Sequence, residues 1–393
     1  MPELMPFRAW RYAPSCDLAD VTAPPYDVLS DADVARYAAR DSRNIVHVDD
    51  PPPTPAGYAA AARTLRAWMS DGTLARDDRP TLTLYRLGFT DETGTPRTVI
   101  GVFGGLPVVD YGAGPVLPHE HVTAKASTDR LDLTRATHAN LSPVWGLSLA
   151  AGLSQVLRES WDGAVAAADP SHMTEDGVIH EVLAIDDPDV IAAVNARLAP
   201  ADVLIADGHH RYGVAQQYRD ETGAAGARHT LAFVQELVAD QLSVQAIHRL
   251  YDRVTFESLL DALGACFDLS PAPAPSPHTL AEMVRAGRLV VVSPAGDARW
   301  LTPKPGAFDG VRALDGAWLE HALADVPGLV VGYQHGLTEV LHEVPNHTGA
   351  VLIRPTSIDE IRRTATEGLL MPPKSTFFTP KLRTGLVIRA LDE

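Results

Sequence analysis

Cysteine is nearly absent from this chain: Cys16 and Cys266 are its only two in 393 residues. That excludes a disulfide framework and fits a reduced, cytoplasmic setting. It also excludes a zinc cluster unless histidines contribute. Long apolar runs are missing too, and nothing approaches the ~20 residues of a membrane helix. The opening MPELMPFRAW has no basic stretch leading into an apolar one, so no secretory leader is expected. Excess positive charge is absent. The formal net charge is −17, and a nucleic-acid backbone would be repelled by most of such a surface. Membrane and nucleic acid are therefore not expected partners, and a ParB-like DNA role is disfavoured. Lysine is the last scarcity. It stands only at 125, 304, 374 and 381, and arginine supplies every other basic residue. An ammonium is not equivalent to a guanidinium, so Lys125, Lys374 and Lys381, each in a motif-like segment, are expected to have positional roles.

What remains is ordinary globular material, 46% hydrophobic and 21% charged. Helical spacing is read at 31–40, 56–71, 151–168 and 188–198. Strands are read at 80–88, 97–103, 178–185, 230–237 and 242–251. Pro24 and Pro25 keep the segment before Asp27 extended. The stretch DLSPAPAPSPH at 268–278 reads as a Pro-rich spacer. It divides a main unit, 1–267, from a smaller one, 268–345, and residues 346–393 return to the main unit. Ser357 and Glu360 have capping-box spacing, and Gly368 marks a helix stop. The expected class is mixed α/β or α+β.

Chemistry concentrates in a few segments. ADVLIADGHHRYGVA, residues 201–215, runs from a buried strand through an Asp-Gly turn into a helix. Tyr212, Ala215 and Tyr218 form one face of that helix. Asp207, Gly208, His209, His210 and Arg211 thus sit at a helix N-terminus, which favours anions. The plain alternative is a turn whose histidines satisfy local hydrogen bonds. Residues 117–144 carry His119, Glu120, His121, Lys125, Arg130 and Arg135. His119 and His121 share a face if extended, and Glu120 points away. This is not HExxH, so no zinc protease is read from it. If 128–139 is helical, Asp132 and Arg135 share a face, as do Arg135 and His138. MPPKSTFFTPKLRTGLVIRAL, residues 371–391, offers Lys374, Ser375, Thr376 and Lys381, with one phenylalanine of Phe377 and Phe378 buried. It lacks the glycines of a phosphate loop. Asp27 in PPYDV, and His248 with Arg249 in IHRLY, are polar groups in apolar frames, where structural roles are the commoner outcome.

Taken together, APPYDVLS, HEHVTAKASTDRLDLTRATHANLSPVWGL, ADGHHRYGVA, IHRLY and MPPKSTFFTPKLRTGLVI resemble domain-of-unknown-function family 1015 from end to end. The DGHHR element is similar to one in the free-serine kinases of the ParB/sulfiredoxin superfamily. The resemblance implies a ParB/sulfiredoxin-like core elaborated by further strands and helices. It also implies a kinase phosphorylating the hydroxyl of free L-serine, with pyrophosphate, ATP or ADP as donor. Phosphoryl transfer needs positioning, charge neutralisation and usually Mg²⁺. On that reading Asp207 holds the metal, and His209, His210, Arg211, Lys125, Arg135, Lys374, Ser375, Thr376 and Lys381 cradle phosphate. Glu120 orients the acceptor hydroxyl, with Asp27 in reserve, and His119, His248 and Arg249 meet the substrate. The rivals are a metal-dependent phosphate-ester hydrolase with His119, His121, His209 and His210 as ligands, and a non-catalytic phosphate or nucleotide sensor. A homo-oligomer is compatible with either.

Overall fold

A computed structural model describes residues 1–92, 94–118, 127–371 and 375–392. The class is mixed α+β. Among the described residues thirteen α-helices surround two large sheets. The first sheet has eight strands, in the order Val116–Leu117, Val203–Asp207, Val144–Ser148, His229–Glu236, Pro96–Pro107, Leu82–Thr90, Val178–Ile185 and Ser171–Glu175. Val203–Asp207 runs parallel to Val116–Leu117 and antiparallel to Val144–Ser148, and the latter is parallel to His229–Glu236. The second sheet has six strands, all antiparallel: Phe267–Ala272, Ala298–Pro303, Leu289–Val292, Gly349–Leu352, Ile247–Asp252 and Val330–His335.

Both faces of the large sheet are covered, which explains why its strands read as near-continuous apolar runs. One face buries Val144, Val203, Ile205 and Val234 under the helices Leu153–Val165, Pro188–Leu198 and His209–Thr222. The other buries Tyr85, Phe103, Trp145 and Phe233 under the C-terminal segment, through Ile361, Met371, Phe378, Leu382 and Leu386. The N-terminal helices close a third cluster around Tyr37, Ile45, Leu65 and Trp68. Local signals hold where expected. Thr54 caps Pro55–Ser70, Ser30 forms a capping box with Asp33, and Ser357 accepts from Glu360 N–H before Ile358–Thr366. Gly368 lies just past that last helix at φ +65°.

Two readings need correction. The Pro-rich stretch is not a spacer. Phe267–Ala272 is a strand, and Ser276 caps a helix at Pro277–Ala286. Pro271 is tolerated because its strand is a sheet edge, paired only with Ala298–Pro303 among the described residues. The single strand expected at 242–251 is two. Ser243–Gln245 pairs with Phe377–Thr379, while Ile247–Asp252 enters the second sheet. Phe378 is the buried phenylalanine of its pair, at 1% exposure. No helix among the described residues is long and apolar enough to cross a membrane.

The C-terminal segment is fastened by a buried guanidinium. Arg383 donates to Thr22 O at 2.7 Å and Thr22 Oγ1 at 3.2 Å, and pairs with Glu175 Oε2 at 2.6 Å. It joins the chain's two ends and the Ser171–Glu175 strand. Replacing Arg383 by alanine leaves Glu175, which Arg40 also meets at 2.6 Å, short of its buried partner. Arg383→Ala is expected to lose about 3–5 kcal/mol of stability, read in a urea melt. Exposed Arg79→Ala, whose contact with Asp186 is 3.5 Å, is expected to lose less than ~1 kcal/mol.

Candidate functional site

The strand Val203–Asp207 is buried as far as Ala206, and its register shifts between Ile205 and Asp207 opposite Gly146 and Trp145. Such an irregularity re-aims the side chain that follows it. Gly208 then takes φ +85°, a conformation other residues enter only at a cost, and a Cβ there would stand 3.1 Å from Arg211 Cζ and 3.3 Å from Val144 Cα. The helix His209–Thr222 begins at once, without a side-chain cap. Its inward face is Tyr212, Ala215 and Tyr218, as their spacing predicts. The Tyr212 hydroxyl accepts from Val109 N–H at 2.9 Å and donates to Pro107 O at 3.0 Å, which anchors the first turn.

Arg211 organises what surrounds that turn. Its Nη1 donates to Pro143 O, and its Nη2 meets Asp207 Oδ2 at 2.9 Å and Asp27 Oδ2 at 3.3 Å. Lys381 Nζ lies 3.3 Å from Asp207 Oδ1. The same ammonium sits 4.2 Å from the centre of the Phe377 ring, which stacks on His335 at 3.8 Å and 9°. A ring stacked that closely fills one face of Phe377, so Lys381 occupies the other. Burial pushes the Asp207 carboxyl up, but Lys381 and Arg211 outweigh it and hold the group well below the usual carboxylate range. Burial opposes the Arg211 charge, and Asp27 and Asp207 restore it.

A second arginine continues the cluster inward. Arg130, 7% exposed, donates to Asp49 O, approaches Asp49 Oδ1 and Asp50 Oδ1 at 3.5 Å each, and meets Asp129 Oδ2 at 3.1 Å. Its guanidinium lies 3.8 Å from the centre of the Tyr26 ring, and the Tyr58 hydroxyl donates to Asp129. Burial raises Asp49 to about 6 against the pull of Arg130 and Arg211, and lifts Tyr26 to about 12. A narrow cavity of about 50 Å³ starts at Tyr26, Asp49, Arg130 and Arg211 and runs between the Ser127–Thr137 and His209–Thr222 helices. It has room for a few waters, not for a nucleotide.

Asp27, Asp207, Arg211 and Lys381 come together as the motifs suggested. Glu120, His119, His121, Lys125 and Lys374 lie outside the described residues. Each oxygen of Asp207 faces a cation, Oδ2 the Arg211 guanidinium and Oδ1 the Lys381 ammonium. Among the described residues no group of three or more histidine, cysteine or acidic side chains has metal-holding geometry. Arg135 is elsewhere. It pairs with Asp132 at 2.6 Å, as read, and with Glu221 at 2.7 Å. Glu221 is twelve residues beyond His209, ~18 Å along the helix axis. His138 leaves the helix at φ +50° and meets Tyr218 instead. His248, 1% exposed, accepts from Ile353 N–H, and burial pushes it down to about 3. It lies in the core between the strands of the second sheet. Arg249 and Ser375 line a different cavity, and Ser375 O accepts from Thr356 at 3.0 Å. Thr376 is half-buried beside it in sequence. The described cluster also is not the net-positive pocket that the motifs suggest. Arg130, Arg211 and Lys381 are matched by Asp27, Asp49 and Asp207. Tyr26, Asp49 and Arg130 carry the inner half of it, and Asp49 is legible only as an acid closing the apolar run IVHV.

Two outcomes follow from this geometry. Gly208→Ala is expected to cost about 1–2 kcal/mol through its left-handed backbone alone, and to displace Arg211, read as a lower midpoint in a chemical melt. For Asp49 the folded pKa is raised, so its favourable contribution is complete below the unfolded value near 3.8 and is lost as pH rises through about 6. The stability of Asp49→Asn relative to wild type should therefore improve by up to about 2–3 kcal/mol between pH 4 and 7. A flat difference across that window would contradict the assignment.

Several solved structures are similar in overall shape. A free serine kinase in complex with AMP aligns over 73% of this chain and 93% of its own, at 11% identity and a TM-score of 0.38. A conserved hypothetical protein from Pyrococcus furiosus aligns over 73% and 95%, at 10% identity and a TM-score of 0.36. SbnI from Staphylococcus aureus, with a C-terminal truncation, aligns over 72% and 85%, at 10% identity and a TM-score of 0.38. No curated protein matches the sequence. A family model described as protein of unknown function (DUF1015) matches residues 4–317. That match takes in the Asp27, Asp49, Arg130 and Asp207–Arg211 segments just described, and the chain belongs to the DUF1015 family.

Proposed function

We propose that the chain transfers a phosphoryl group to the hydroxyl of free L-serine, with pyrophosphate as the donor. The observation that supports this best is the uncapped helix start at His209, flanked by Lys381 and by a carboxylate, Asp27, that shares the Arg211 guanidinium. The N–H groups and positive dipole end of the His209–Thr222 helix suit the donor's phosphate oxygens, aided by His209, His210 and Lys381. Asp27 is 36% exposed at its side chain, against 8% for Arg211. It is the described carboxylate best presented to an incoming hydroxyl. Asp207 and Arg211 are positioning residues in this reading, since each is bound to fixed partners.

In the reaction, the serine hydroxyl oxygen attacks the terminal phosphorus and the bridging P–O bond breaks. Asp27 takes the hydroxyl proton, and the products are O-phosphoserine and orthophosphate. Magnesium, where a donor carries it, would enter with the phosphates. A non-catalytic phosphate sensor would use the same helix start, and would bind without turnover.

Steady-state kinetics with serine and pyrophosphate, ATP or ADP test the reading. Asp27→Asn is expected to lower kcat by ~10²–10⁴-fold while remaining folded, with a lowered melting temperature because Arg211 loses a charged partner. Lys381→Gln is expected to raise the donor KM by about tenfold or more, as loss of a charged contact does. Normal turnover in Asp27→Asn beside a collapse in Glu120→Gln would move the base to Glu120. Binding of pyrophosphate with no product from any donor would replace the kinase by the sensor.

A further inference from the structure

The second sheet carries a cavity of about 300 Å³ that the phosphoryl-transfer reading does not use. Arg249 lines it. This residue is 5% exposed and sits on the strand Ile247–Asp252, on the face that packs against the Asp315–Ala322 helix. Its Nη1 donates to Ile247 O, and the guanidinium lies 4.7 Å from the centre of the Tyr333 ring. No carboxylate forms an ion pair with it among the described residues. The other arginine of the cavity, Arg354, is satisfied, because Asp315 accepts from its N–H at 2.7 Å and from its Nη2 at 2.5 Å. Asp315 is thereby bound to Arg354, and it and Glu320 act on Arg249 only as neighbouring charges, not as direct partners.

A second positive feature faces the same guanidinium. The eight-residue helix Asp315–Ala322 starts at Leu314 with no side-chain cap, and its first turn, Gly316 and Ala317, lines the cavity. A Cβ on Gly316 would stand 2.9 Å from Arg249 Nη2. A buried cation thus lies directly over the positive end of a helix, an arrangement that repels unless an anion joins the two. Burial accordingly pushes Arg249 below the usual guanidinium range.

The rim sets the kind of anion. Glu320 is one helical turn beyond Gly316, on the same face, and is exposed at the mouth. Glu360 also lines the cavity, paired with Arg312 at 2.8 Å. One cation inside with no carboxylate in direct contact, and an acidic rim outside, accept a single negative charge and repel a second. We infer that this cavity is a binding site for a small monocarboxylate, its carboxylate bridging Arg249 and the first turn of the Asp315–Ala322 helix. It is distinct from the His209 helix start and stands without reference to phosphoryl transfer.

The test is a binding measurement on the full chain, so its failure leaves the kinase reading untouched. Saturation-transfer NMR with acetate, and with succinate and inorganic phosphate at matched ionic strength, reads the site. Acetate should saturate at millimolar concentration, and succinate and phosphate should not compete for it. Arg249→Gln should weaken acetate by about tenfold or more. Gly316→Ala, which crowds Nη2 and changes no charge, should weaken it as well and covers the case in which Arg249→Gln does not fold. Glu320→Gln, at an exposed position, should tighten acetate several-fold and admit succinate. Acetate binding that fails to saturate, or that is unchanged in Gly316→Ala and Glu320→Gln, overturns the site. So does phosphate displacing acetate from the wild-type protein.

Discussion

The burial of the Arg211 guanidinium is the constraint on which the site depends. A guanidinium taken out of water must find acceptors or destabilise the fold by several kcal/mol. Its acceptors come from three separate places: the strand end at Asp207, the backbone at Pro143 and the N-terminal Asp27. Satisfying one charge therefore draws three chain segments to one point. Lys381 adds a fourth through Asp207. The functional geometry is in this sense a by-product of charge bookkeeping, and the left-handed Gly208 is what lets the helix start close enough for it to work.

The site is correspondingly rigid in its inner part and open in its outer part. Arg130 is wrapped by Asp49, Asp129 and the Tyr26 ring, and has little freedom to follow a ligand. Asp27 and the uncapped turn at His209 are where a substrate can exchange places with solvent. Lys381 belongs to both parts, since its ammonium is held by Asp207 on one side and by the Phe377 ring on the other. Through Phe377 and His335 the second sheet touches this arrangement.

Local signals were legible where a single residue type carries a single physical reason. The cap at Ser357, the Asp-Gly turn at Gly208 and the helix face Tyr212–Ala215–Tyr218 all follow from spacing and side-chain chemistry. The Pro-rich stretch misled because proline excludes only interior strands, and sequence does not say which strand is an edge. The break near Ala246 was invisible because both of its halves are extended, and the partner of the first half, Phe377–Thr379, lies far along the chain. Asp207 and Arg211 were legible as a motif, but not as partners for each other, so the carboxylate looked free to hold a metal. Asp49 was missed, and Arg130 was legible only as added positive charge, for a related reason. Long-range neutralisation leaves no period in the sequence, and Asp49 sits on a four-residue helix too short to display one.

The returning C-terminal segment has a consequence for how the protein is made. Ile388 bridges to Trp10, Thr384 to Ala23, and Arg389 pairs with Asn140. Arg383 and Lys381, both needed at buried or half-buried positions, lie far along the chain from the strands they help to cover. During translation the first sheet therefore waits with the Trp145 and Phe233 face uncovered until the segment carrying Phe378 has emerged from the ribosome. Such contacts between distant parts of a chain close slowly, and an exposed aromatic sheet face is a natural target for a chaperone in that interval.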